Sequence, residues 1–176
     1  MPRSAASDVP RRGSEHGGGG SGTLRFAMSI AQRDYVLRLI QQLGDFLSRI
    51  AGRRREGELD EALREVERAL DAIFGPMKRT LNDVDSATAA NLLGNADKTL
   101  AYAKLLGAQA EVYDDKGEKL VARVARRRSL ELLLEARSRF ELPRPEVDEA
   151  IAALEPQVNL ERMSPRHRAL LRGETP

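Results

Sequence analysis

Few residues of this 176-residue chain have the types and spacing that chemistry requires. There is no Cys, which excludes a disulfide framework, a thiolate metal site and a cysteine nucleophile. His16 and His167 are the only histidines and cannot by themselves make a three-ligand zinc site. Neither falls in a pattern with a nucleophile, and general acid–base work needs a positioned group. No HExxH, P-loop, GxGxxG, GxSxG or EF-hand spacing occurs. The run GGGGSG at 17–22 lacks the Lys and the following helix of a phosphate loop and reads as a linker. No catalytic, metal or cofactor-binding residue is assigned, no cofactor is expected, and the chain reads as non-enzymatic.

Charged clusters are the remaining candidates. Asp60, Glu61 and Glu65, and again Asp114 and Asp115, place carboxylates together. Such pairs bind cations in some proteins; here they read as solvated helix faces and favourable helix-end charges. Arg53-Arg54-Arg55 and Arg123, Arg126, Arg127, Arg128 are the basic clusters. They suit phosphate or acidic peptide, or simply a helix C-terminus and a polar face, with Arg127 placed to pair with Glu131 at i+4. Tyr35, Tyr102 and Tyr113 do not interleave with these runs, so a base-stacking platform is not expected. Arg38, with Asp34 four residues earlier, reads as a surface ion pair or a contact for a partner. Tyr35 reads as a core residue with its hydroxyl at the rim. The partner-binding candidates are therefore Tyr35, Arg38 and Gln42 on one segment and Arg127 on another.

The elements that must position these residues are helical. The chain has 29 basic and 27 acidic side chains, but residues 1–28 hold four Arg against two acids, so the rest is neutral. A globally basic nucleic-acid binder is thereby disfavoured. Residues 1–27 are rich in Gly, Ser, Pro and Arg and read as a flexible arm. The arm has no apolar h-region of a secretory signal. Met28 directly precedes the first strong helix, so translation is a candidate to begin there.

From Ser29, a plausible N-cap, the row Tyr35, Leu39, Leu43, Phe46, Ile50 steps by 4, 4, 3 and 4, predicting a core-facing helix to Ala51. Gly44 interrupts it, as a close helix–helix approach would explain. Further helices are predicted over 58–74, 85–93, 96–114, 118–140 and 145–154. The fifth carries Leu120, Val121, Val124, Leu132 and Leu133. Gly75-Pro76, Gly94-Asn95 and Pro143 mark stops. Residues 156–176 read as a weakly ordered tail. No period-2 run suggests a strand, and no stretch reaches the roughly 20 apolar residues that span a bilayer.

Two segments look alike. Arg55-Glu56-Gly57-Glu58 leads to Ala62, and Asp115-Lys116-Gly117-Glu118 leads to Ala122. Each pairs a turn Gly with a small residue five positions on, where a neighbouring helix comes close. With Tyr113 the second reads YxxxGxxxxA. This resembles the tetratricopeptide repeat, a helix–turn–helix of about 34 residues, although the two glycines lie 60 apart. The run Asp34-Tyr35-Val36-Leu37-Arg38-Leu39-Ile40-Gln41-Gln42, followed by a Gly-Glu-x-x-x-Ala helix, also resembles a bacterial family of tetratricopeptide-like helical proteins with no established activity, over about residues 33–154.

The expectation is an all-α protein of five to six antiparallel helices in tetratricopeptide-like pairs over residues 28–155. Stacked pairs bury apolar stripes that no pair buries alone and leave a surface for a peptide or partner helix. The resulting function is a cytoplasmic interaction or scaffold domain with a protein partner or a second copy, and no membrane. The alternative is a nucleic-acid-associated protein using the arginine clusters, with nucleic acid the less expected ligand. An enzyme is the third reading.

Overall fold

The computed structural model describes the backbone of residues 20–140 and 144–174, and side chains from residue 30 onward. Two units are distinguished, residues 1–34 and 35–176. The arm up to residue 19, with His16, lies outside the described residues, as do the stop at Pro143 and the end at 175–176. Every regular element among the described residues is helical: α1 Gly20–Arg55, α2 Leu59–Phe74, α3 Met77–Asp83, α4 Ser86–Leu93, α5 Ala96–Asp115, α6 Lys119–Arg139, α7 Pro145–Leu154 and α8 Pro165–Leu171. Two 3₁₀ turns, Glu155–Gln157 and Leu160–Arg162, lie between α7 and α8. None of these helices is long and apolar enough to cross a membrane.

The all-α expectation holds among the described residues, but these form eight helices where the sequence suggested five to six. Helix α3 is held by one fully buried side chain, Leu81, and one anchor makes no periodic stripe. Helix α8 starts with the strong signal Ser164-Pro165, N-cap and N1, and Ser164 Oγ accepts the N–H of His167 at 3.2 Å. The last segment reads from its sequence as weakly ordered, yet Met163, His167 and Leu170 are buried against the rest. Ser29 is not an N-cap either, because α1 runs through it from Gly20. Once a helix is nucleated, extending it through Leu24–Met28 gains one hydrogen bond per residue fixed.

The middle of unit 35–176 is the α5–α6 hairpin. Helix α5 buries Ala101, Tyr102, Ala103, Leu105 and Leu106 almost consecutively, and α6 buries Leu132 to Ala136 without a break. Helices covered on all sides have no polar stripe in their middles. Small residues allow the approach: Ser129 Oγ donates to Ala103 O at 2.7 Å, and a Cβ added at Gly107 would lie 3.5 Å from the same Oγ. Helix α2 packs on α5, while α4, α7 and α8 pack on α6.

The two segments that look alike form turns of the same geometry. Glu58 has φ −81° and ψ 60°, and Glu118 has φ −81° and ψ 61°. In each, the Glu N–H reaches back five residues, Glu58 to Arg53 O and Glu118 to Tyr113 O, both at 2.9 Å. Gly57 and Gly117 take φ of +75° and +80°, and Ala62 and Ala122 are fully buried. The left-handed φ is why Gly stands here. No heavy atom lies within 4 Å of a Cβ added at either position, so only backbone strain opposes a side chain. Gly57→Ala and Gly117→Ala should each lower the unfolding free energy by about 1–2 kcal/mol in urea titrations. Values near zero would show that the turns relax.

Candidate functional site

Helix α1 buries Leu39, Leu43, Phe46 and Ile50, a row stepping by 4, 3 and 4. Other apolar side chains of the same helix stay outside the core: Ile40 is 55% exposed and Leu37 64%. Tyr35, expected in the core, is 39% exposed, with Lys98 Nζ 5.5 Å from its ring centre. Beside this face a groove opens, bordered by Ile40, Leu43 and Leu47 of α1 and by Leu100 and Lys104 of α5.

The groove comprises two neighbouring cavities of about 390 and 380 Å³ whose linings share Leu47 and Lys104. Leu43, Gly44 and Leu47 of α1 and Leu100 and Ala101 of α5 line one. Ile50 of α1, Gly107 of α5 and Ala150, Ala153 and Leu154 of α7 line the other. A Cβ added at Gly44 would meet nothing within 4 Å, so the close helix approach expected there is absent; Gly44 lines open space instead.

Ion pairs edge the groove. Arg144 Nη1 lies 2.5 Å from Asp97 Oδ1 and 3.7 Å from Glu146 Oε1. At the other end Arg54 Nε donates to Asp115 Oδ2 at 2.8 Å and the same guanidinium pairs with Glu111. The hydrogen bond to Asp115 chiefly holds the Arg54 pKa above its ordinary value. Lys116 pairs with Asp60 in the same region and holds that carboxyl below its usual range. Lys104, on the groove itself, has no ionic or hydrogen-bonding partner among the described residues.

The four candidate residues do not converge. Tyr35, Arg38 and Gln42 share α1, with Arg38 and Gln42 exposed, and none of the three lines the groove. Arg127 lies on α6, where it donates to Arg162 O at 3.2 Å and sits 3.8 Å from Glu131. Sequence reasoning missed Lys104, which looks like any helical lysine. Gly44 carried the one available signal, a glycine inside a good helix.

The charged clusters are largely spent on structure. Glu65, expected on a solvated face, is buried between Arg49 at 3.2 Å and Arg68 at 2.5 Å. Arg126 is buried against Asp114 and chiefly holds that carboxyl below its ordinary range. Arg128 donates to the carbonyls of Leu81 and Val84, closing the end of α3. No group of three metal-ligating side chains occurs among the described residues.

His167 needs a correction, because it does stand in an ordered cluster. Its Nδ1 lies 2.9 Å from Ser164 Oγ and its Nε2 3.1 Å from Glu135 Oε1. The second contact is off the hydrogen-bonding axis, for Nε2 is buried without a well-aligned acceptor. Glu135 is fully buried and also takes Arg139 Nε at 2.7 Å and Arg166 Nε at 2.8 Å. Burial pushes its pKa up, but the interactions with His167, Arg166 and Arg139 outweigh this and hold it well below the carboxylate range. Two guanidiniums neutralise the carboxylate, and the Ser164 hydroxyl caps α8. The arrangement fastens α8 to α6.

With this geometry, the described residues define an all-helical protein with an apolar groove between α1, α5 and α7. No family model, curated protein or solved structure matches the chain.

Proposed function

We propose that the protein is a non-enzymatic interaction scaffold, built from tetratricopeptide-like helical pairs, whose α1–α5–α7 groove receives a helix or extended peptide of a partner. The paired turns support the helical-pair reading: α1–α2 and α5–α6 share one turn geometry, and Arg54–Asp115 and Asp60–Lys116 join the two turns. The insertion of α3 and α4 between the pairs departs from a regular tandem array. The observation that carries the proposal is the groove itself: an apolar floor around Gly44 beside Lys104, a cation with no partner among the described residues. Such a floor supplies buried apolar contact and Lys104 a fixed point for a partner carboxylate. The engagement of Arg53, Arg54, Arg126 and Arg128 with acids or carbonyls weighs against the phosphate-binding reading.

Substitutions at Gly44 test this. Gly44→Ala should raise stability by about 1 kcal/mol, since helix propensity improves and nothing stands in the way. Gly44→Trp should fill the groove. A photo-crosslinking side chain at Ile40 should capture a partner in cells expressing Gly44→Ala and lose it with Gly44→Trp, at unchanged helicity. Capture that persists when the Gly44→Trp indole fills the groove, or that never involves this face, would exclude the groove as the binding site.

A further inference from the structure

The amino half of α6 departs from what a core helix requires. Its stripe of small residues, Ala122, Ala125 and Ser129, faces inward, and the large apolar residues face out. Leu120 is 76% exposed and Val124 56%, with Val121 also exposed. Leu120 and Val124 are four apart and share a helix face. Scattered apolar residues are ordinary at a surface, whereas a contiguous cluster marks a contact site. Here Leu120 and Val124 line a concavity of about 570 Å³ between α6 and residues 156–162, with Val158 on the other wall.

The charge around this notch is one-sided. Arg123, Arg127 and Arg162 line it, and no carboxylate among the described residues does. The guanidiniums of Arg123 and Arg162 have no ionic partner among the described residues. Arg127 has Glu131 only at 3.8 Å, and its hydrogen bond goes to a carbonyl, that of Arg162. The α6 arginines nearby are committed: Arg126 to Asp114 and Arg128 to carbonyls. Apolar walls with uncompensated cations at the rim complement a segment that is apolar on one face and acidic beside it.

We infer that the notch formed by Leu120, Arg123, Val124, Arg127, Val158 and Arg162 is a second docking site, and that its occupant is an acidic amphipathic helix of a partner protein. Leu-type side chains at i and i+4 enter between Val124 and Val158, and flanking carboxylates meet Arg123 and Arg162. The notch is concave, which suits an inserted helix ridge better than a flat lipid surface.

The probe is a stapled, fluorescein-labelled helical peptide with Leu at i and i+4 flanked by Glu, titrated against the full chain and read by anisotropy. Binding should be saturable and weaken as salt rises. Val124→Asp, or Arg123→Glu with Arg162→Glu, should weaken it at least about tenfold, while Arg123→Lys keeps it. None of these side chains is buried in the core, so the unfolding midpoint should stay unchanged and serves as the folding control. Gly44→Trp should leave this affinity intact, which separates the notch from the groove. Absence of binding overturns the inference, as does equal binding of the peptide with Lys in place of Glu. So do indifference to the charge reversals, loss of binding with Gly44→Trp, and displacement by phosphatidylserine vesicles or duplex RNA more readily than by unlabelled peptide.

Discussion

Glu135→Gln is expected to be among the most damaging single substitutions, lowering the unfolding free energy by about 3 kcal/mol at neutral pH. The carboxylate is fully buried and is met by Arg139 of its own helix and by Arg166 and His167 of α8. Removing the anion leaves the Arg139 and Arg166 guanidiniums partly buried and unbalanced, and breaking a buried pair costs about 3–5 kcal/mol. The lower figure applies because Arg166 keeps partial access to water. Urea titration gives the magnitude, and hydrogen exchange gives the place: protection should fall first over α8. The pH dependence has a definite sign. The Glu135 pKa is depressed in the folded state. Its contribution is therefore complete above the unfolded-state value of about 4.3 and is lost progressively as pH falls from there through the depressed folded value. The wild-type stability curve should drop more steeply than that of Glu135→Gln on acidification. Parallel curves would show that the carboxylate is not the group that couples α8 to pH.

Tyr102→Ala should cost about 3–5 kcal/mol, as deletion of a buried aromatic does. Tyr102 is fully buried in α5, its ring meeting Phe74 of α2 edge-on at 5.3 Å and 75°. Its hydroxyl donates to Asn82 Oδ1 at 2.9 Å, at the end of α3. Burial raises the phenol pKa, opposed by nearby Arg128, so the hydroxyl stays neutral and a donor. Tyr102→Phe keeps the ring and loses the bond to α3, a change of about 1 kcal/mol. Asn82→Ala should then add little to Tyr102→Phe, since both remove one interaction. Full additivity in that double-mutant cycle would mean that the hydroxyl and the amide act separately.

These two residues also show where the sequence stops being informative. Helices α1, α2, α5, α6 and α7 are legible because apolar side chains recur at helical spacing, and the equivalent turns because Gly and Ala keep their distance. Helix α8 has a legible start but not a legible anchor, because much of that anchor is polar: Arg166 and His167 look like surface residues until Glu135, about thirty positions away, is seen to be buried beneath them. Helix α3 escapes notice because Leu81 alone enters the core. In the first turns of α6 the large apolar side chains suggest the inner face, while the inner face is in fact alanine and serine. Periodicity reports which positions share a side of a helix; which side turns inward depends on how near the neighbouring helix comes. The groove is out of reach for a related reason, since its walls come from α1, α5 and α7, and only their spacing makes it.

The placement of the α5–α6 hairpin at the centre bears on how the chain matures. Helices α1 and α2 are synthesised before the partners that cover them. Leu39 to Ile50 and Val66 to Phe74 belong to a core whose larger part comes from α5 and α6, so it is incomplete until α5 has left the ribosome and α6 has folded back across a three-residue link. A nascent chain that has passed Phe74 but not Asp115 thus displays two greasy helices without their host, the interval in which a chaperone would be of most use to it.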